Sequence, residues 1–141
     1  MRLWHKDLIP YLAQKQLVAQ WRELCCIAKN IADNGTPNHL LVNKILDYPI
    51  EHFIVYSRIV ESEMHLRGYN VDVSKFDKYG LVPNDKFHGI ESDELFKDWH
   101  NDRYLIQCYY NLQEKYDCGG LTDDEWNEID TFVSMKIMKG E

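Results

Sequence analysis

The chain has 141 residues, a formal charge of −7 at neutral pH, 45% hydrophobic residues and 28% charged ones. That length suits one domain with a core that needs no staples, and no apolar run approaches the roughly 18–20 residues that cross a bilayer. The charge argues against a uniformly basic, tight non-specific nucleic-acid binder, but it is unevenly spread: residues 1–67 hold eight basic and seven acidic side chains, and residues 68–141 hold eight and sixteen.

Residues 1–10 read as a short arm. Leu3, Trp4, Leu8 and Ile9 are apolar and Pro10 closes the segment. An arm of this kind is expected to pack on the body, with Trp4 and His5 as packing and surface residues. A first helix is predicted over about 11–32, since Leu17, Trp21, Leu24, Ala28 and Ile31 recur at helical steps. Asn34-Gly35 supplies a left-handed stop. Thr36-Pro37 reads as the cap and first position of a second helix, whose apolar face runs from His39 through Leu40, Leu41, Val42, Ile45 and Leu46 to Tyr48. Pro49 begins a third, with Asp47 or Tyr48 near its cap. Ile50, Phe53, Ile54, Ser57, Val60 and Met64 mark its buried side, and Gly68 ends it. Residues 69–91 hold Gly80, Pro83, Asn84-Asp85 and Gly89 and read as an irregular connection, with Lys75, Lys78 and Lys86 on its surface.

Ser92-Asp93-Glu94 reads as the opening of a fourth helix with Leu95, Trp99, Ile106 and Tyr110 on its apolar side, ending near Asp117 before Cys118-Gly119-Gly120. Thr122 and Glu125 form a capping box for a fifth, with Trp126, Ile129, Val133 and Ile137 as its stripe. The fold expected is all-α: a single compact domain of about five helices over residues 1–141. It divides into an arm (1–10), helices (11–67), an irregular connection (68–91) and acidic C-terminal helices (92–141).

Cys25, Cys26, Cys108 and Cys118 show no C-x-x-C spacing, and the six histidines fall in no metal-binding motif. No metal and no other cofactor is expected, and the cysteines read as reduced thiols. No basic-then-apolar leader is visible, so a cytoplasmic location is expected. Trp99, Tyr104, Tyr109, Tyr110 and Tyr116 gather around the fourth helix. Aromatics there can stack on an unpaired base, although Trp99 and Tyr110 lie on the apolar stripe and read as core.

On the first helix Gln16, Gln20 and Glu23 follow steps of four and three on one face, with Arg22 beside them. A carboxylate next to an arginine and flanked by amides is a candidate site. On the pattern alone a solvated helix face is the better reading.

The same stretch carries a resemblance. Leu12-Ala13, Leu17, Ala19, the aromatic Trp21 and then Arg22-Glu23-Leu24 resemble the first helix of the phage pyrimidine-dimer DNA glycosylases, the small endonuclease V kind that nick DNA at ultraviolet lesions. His39, followed by an apolar helix and then Glu63-Met64-His65-Leu66-Arg67-Gly68-Tyr69-Asn70, is similar to that family's middle section. Met1-Arg2-Leu3-Trp4-His5 and Tyr109-Tyr110-Asn111-Leu112-Gln113-Glu114-Lys115-Tyr116 resemble a bacterial branch of the same superfamily. The resemblance covers about residues 1–70.

It implies a DNA base-excision enzyme with apurinic/apyrimidinic-site lyase activity. An α-amine attacks C1′ of the damaged nucleotide, the base leaves, an imine forms, and a helix-one glutamate assists sugar opening and elimination of the 3′ phosphate. An α-amine, with an ordinary pKa of about 7.7–8.0, is partly neutral near pH 7, whereas a lysine at about 10.4 is not. Residue by residue, the resemblance assigns Met1 and Glu23 as catalytic and Arg22 as a DNA contact. It extends the DNA-binding set to Arg2, Gln16, Gln20 and His39. The partner implied is damaged or abasic DNA; no membrane partner is expected, and the oligomeric state is left open. Three departures stand out. The family exposes a threonine amine by removing the initiator methionine, whereas Arg2 is too large to permit that removal. Cys26 stands where the family has a second arginine, and Gln16 where it has a histidine. The alternative is a non-catalytic descendant that binds nucleic acid or protein.

Overall fold

The computed structural model describes residues 1–139; the last two residues of the C-terminal segment lie outside the described residues. Among the described residues there are helices and turns and no strand. The α-helices are α1 (Gln14–Asn34), α2 (Ile50–Leu66), the short α3 (Ser74–Asp77), α4 (Asp102–Asp117) and α5 (Asp123–Lys139). Two 3-10 turns, Lys6–Tyr11 and Asn43–Asp47, complete the set. Among the described residues no helix is long and apolar enough to cross a membrane.

α1 packs on α2 and α3, and α4 packs on α5. The first 3-10 turn sits between the two groups, against α2 and α5. On α1, Leu17, Trp21, Leu24 and Ala28 are buried, as their helical spacing requires. Gly35 ends the helix at φ 74°, its N–H donating to the Ile31 carbonyl at 2.8 Å. The fifth helix has the capping box its sequence announces. The Glu125 N–H donates to Thr122 Oγ1 at 3.1 Å, and the Thr122 N–H donates to Glu125 Oε1 at 2.8 Å.

Two expected helices are corrected. Residues 37–48 do not form a helix; only Asn43–Asp47 makes a 3-10 turn. Local side chains compete with the helical ladder here. Thr36 Oγ1 accepts from the Asn38 N–H and Asn43 Oδ1 accepts from the His39 N–H, each at 3.1 Å. Asn38 sits at φ 56°, a left-handed conformation. Leu40 and Leu41, expected on an apolar face, are instead 88% and 51% exposed.

The fourth helix begins at Asp102 and not at Ser92. Phe96 and Asp98 both have positive φ, which breaks any continuous helix through 92–100. Burial offsets that backbone cost: Phe96 is fully buried and its ring lies 4.8 Å from Trp99 and 5.1 Å from His100. Asn101 caps α4, its side chain accepting from the Tyr104 N–H. The buried stripe is therefore Leu105, Cys108 and Leu112, while Tyr110 is 60% exposed, a correction to its core assignment. Smaller corrections concern α2, whose N-cap is Pro49 itself, and the connection 69–91, which contains the short α3 around buried Phe76.

Candidate active site at the start of the chain

The arm does not lie on the surface as a loose end. Leu3 is fully buried and Trp4 and His5 are nearly so, which corrects the surface reading of His5. An extended segment buried in this way needs partners for its backbone polar groups. Side chains from three helices supply them. Gln20 on α1 donates through Nε2 to the Arg2 carbonyl at 3.0 Å and accepts at Oε1 from the Trp4 N–H at 2.8 Å. The Tyr104 hydroxyl on α4 donates to the Leu3 carbonyl at 2.6 Å. The Tyr56 hydroxyl on α2 donates to the Trp4 carbonyl at 2.6 Å and lies 3.1 Å from Gln20 Oε1. The Lys6 N–H donates to His100 Nδ1 at 2.9 Å. Burial pushes the Tyr56 and Tyr104 hydroxyls well above the ordinary tyrosine range, so both stay protonated donors.

This clamp sets the start of the chain beside Glu23. Gln20 Nε2 also reaches Glu23 Oε2 at 3.4 Å, so one amide spans the Arg2 carbonyl and the helix-one carboxylate. Glu23 is half-buried. Burial raises its pKa above the usual carboxylate value. The Met1 ammonium, His39, the Arg2 backbone N–H and Lys115 pull in the opposite direction. Arg2 and Gln20 therefore lie within hydrogen-bond reach of Glu23, and Met1 and His39 are near enough for their charge to act on its carboxylate.

The other predicted site residues are placed differently. Gln20 is fully buried, so it holds the arm and is not free to contact DNA. Arg22 is exposed next to Glu23 and makes no hydrogen bond or ion pair among the described residues. Gln16 and His39 are half-buried, and Gln16 Oε1 and His39 Nδ1 are buried atoms without a hydrogen-bond partner. Arg2 divides its roles. Its backbone faces Gln20, while its guanidinium lies over the Trp4 ring at 5.5 Å and 3.8 Å from Cys108 Sγ. Among the described residues no group of three His, Cys, Asp or Glu side chains is arranged to hold a metal.

Sequence reasoning missed Tyr56, Tyr104, His100 and Lys115. Tyr56 had a signal: it stands three residues after Phe53 and four before Val60, on the buried face of α2, where a tyrosine needs a partner for its hydroxyl. Tyr104 and His100 reach the arm across about a hundred residues of chain, and Lys115 acts on Glu23 over a similar separation; no local pattern announces that.

The site thus holds an amine, a half-buried carboxylate of raised pKa and an unpaired arginine, with the amine's segment rigidly anchored. The sequence profile of the pyrimidine dimer DNA glycosylase family matches residues 1–77. The chain belongs to that family. No curated protein and no solved structure matches it. In this family member the matched region ends with α3, at Asp77. It contains the arm, Gln20, Arg22, Glu23, His39 and Tyr56, while Tyr104 and Lys115 come from outside it. The glycosylase match and the clamped arm therefore fall on the same part of the molecule.

Proposed function

We propose that this pyrimidine dimer DNA glycosylase family member removes a damaged base and then cleaves the abasic strand, with the Met1 α-amine as nucleophile and Glu23 as proton carrier. The neutral amine forms a bond to C1′, the glycosidic bond breaks with its electron pair leaving on the base, and the nitrogen gives up a proton. The C1′–O4′ bond then breaks with its electron pair leaving on O4′, which takes a proton, as the nitrogen lone pair closes the C=N bond of the iminium. Removal of a C2′ proton then expels the 3′ phosphate. Glu23 serves both ends of this sequence. Its raised pKa lets it carry a proton to the sugar ring oxygen, and its charged form steadies the iminium. Arg22 takes a phosphate in a forked contact, a role that its exposure and its lack of an ion-pair partner among the described residues support. The observation that carries the reading is the single Gln20 amide bonded to both the Arg2 carbonyl and the Glu23 carboxylate.

Borohydride trapping on duplex DNA with an abasic site tests it, alongside an intact mass that establishes a free Met1 amine. The wild type should give a covalent adduct, and acetylation of the amine should abolish it. Glu23→Gln should slow strand cleavage by roughly 10²–10⁴-fold, the usual reach of a positioned acid–base group. Because burial disfavours the charged form of Glu23, that variant should melt no lower than wild type at pH 7. Absence of any adduct from wild-type protein with a free amine sinks the proposal. Arg2, Cys26 and the acidic second half favour a second reading, a non-catalytic DNA binder. Salt-dependent binding that survives Glu23→Gln without cleavage selects it.

A further inference from the structure

A cleft of about 640 Å³, with Arg2 in its lining, opens between the 40–44 turn and the start of α4. Three cations line it, Arg2, Lys44 and Arg103, against one carboxylate, Asp98. Lys44 and Arg103 are exposed and make no ion pair among the described residues. A local excess of positive charge is out of character for a chain of net charge −7. The same cleft has an apolar wall, Leu40 and Leu41, which are 88% and 51% exposed on a turn braced by Thr36 and Asn43.

We propose that this cleft is a second nucleotide subsite, holding the phosphate and base that adjoin the reacting sugar in the same DNA molecule. A bare phosphate leaves the leucine wall without a partner, and an apolar ligand leaves the cations without one. A nucleotide satisfies both. Its sugar and base lie on the apolar side and its phosphate on the cations. Apolar side chains exposed beside phosphate-binding cations are also the combination that unstacks a base step. Arg2 sets the distance to the reaction. Its carbonyl is held by Gln20 next to Glu23 and the same residue lines the cleft, so the two places share Arg2. The ligand in the cleft is therefore covalently continuous with the reacting nucleotide. Residues 98–107 form one wall and lie beyond the family match, so this part of the DNA path belongs to the C-terminal half.

The inference rests on the proposed reading of the Glu23 site, and the test separates the two. Full-length protein is titrated with a duplex carrying a reduced abasic analogue and a 2-aminopurine at the adjoining position. Wild-type binding should raise the 2-aminopurine fluorescence. Lys44→Gln combined with Arg103→Gln should weaken binding by about tenfold or more and flatten the salt dependence by about two units of log K per log salt. Leu40→Ala combined with Leu41→Ser should suppress the fluorescence change. All four positions are exposed, and equal melting temperatures confirm that the variants fold. Wild-type affinity, salt slope and fluorescence in both double variants overturn the subsite, even with borohydride trapping intact. Failure of wild-type trapping, with binding still dependent on Lys44 and Arg103, removes the lyase reading and leaves the subsite standing.

Discussion

Gln20 presents two amide N–H donors and one carbonyl oxygen, and its surroundings settle which end is which. The Trp4 N–H can only donate and the Arg2 carbonyl can only accept, so Oε1 faces the first and Nε2 the second. The residue is fully buried, and each bond replaces one that water cannot supply. Gln20→Leu should therefore strand the Arg2 carbonyl and the Trp4 N–H, each costing about 1–3 kcal/mol if it stays buried. The arm would detach to recover hydration. The expected outcome is a lower melting temperature together with a fall in the lyase kcat, while abasic-DNA binding through exposed Arg22 persists. Gln20→Glu is a sharper variant, since it keeps an acceptor for Trp4 but loses the donor to Arg2 and sets a second carboxylate against Glu23. It should lose kcat as well, and steady-state kinetics on an abasic duplex read both. Retention of wild-type kcat by a folded Gln20→Glu protein would separate the clamp from catalysis.

The arm as an element is held by acceptors that exist only while two histidines are neutral. His5 Nδ1 accepts from the Asp7 N–H at 3.1 Å and His100 Nδ1 from the Lys6 N–H at 2.9 Å, with the two rings stacked at 5.2 Å. Burial lowers the His5 pKa to about 4 and puts His100 far below its ordinary value. The groups facing the pair include Asp7, which pulls His5 upward, and Lys6 and Lys136, which push it down. Folding favours the neutral forms, so their contribution is fully present above the unfolded value near 6.5. It is lost as pH falls from there toward the folded values, because the unfolded chain takes up protons first. For His5 alone the span from 6.5 to about 4 corresponds to about 3 kcal/mol. Melting temperature should therefore start to fall below about pH 6.5, before most carboxylates titrate. His100→Asn should reduce the slope of that fall. Helix ends were legible in sequence wherever the signal was local, as at Gly35, Gly68 and the Thr122–Glu125 box. The segments 37–48 and 92–101 were not. Their apolar spacing mimics a helix, while Thr36, Asn43 and the buried Phe96 turn the backbone by interactions that periodicity does not register. The candidate site was half legible. The spacing of Gln16, Gln20 and Glu23 marked a face, but that the arm folds back onto it depends on Tyr56, Tyr104 and His100, all distant in sequence.

For the molecule as a whole, the acidic C-terminal half poses a question for a member of a DNA glycosylase family. Residues 68–141 carry sixteen acidic side chains against eight basic ones, yet α4 and α5 are not spectators. α4 supplies the Tyr104 hydroxyl to Leu3 and the segment before it supplies His100 to Lys6. α5 reaches the first 3-10 turn directly: Phe132 stacks on Tyr11 at 4.2 Å, and Lys136 Nζ lies 3.0 Å from Asp7 Oδ2. α4 and α5 are joined by the Tyr109 hydroxyl donating to Asp130 Oδ1 at 2.6 Å and by Tyr116 stacked on Trp126. The C-terminal half is thus the outer wall against which the arm is pressed. The consequence is testable with a fragment ending at Asp77, the limit of the family match. Such a fragment keeps Glu23, Gln20 and Tyr56 but loses the Tyr104 hydroxyl on the Leu3 carbonyl, the His100 acceptor for the Lys6 N–H and the Phe132 ring on Tyr11. Each apolar side chain exposed by that loss gives up about 1.5–3 kcal/mol, against the ~5–15 kcal/mol that holds an ordinary domain together. The fragment should show weak helical circular dichroism, no cooperative melt and no borohydride-trapped adduct. Adding back residues 78–141 as a separate chain should restore helicity only where the two associate. A fragment that folds cooperatively and traps abasic DNA by itself would mean that the arm needs no outer wall, and that the clamp from α1 and α2 alone positions the amine.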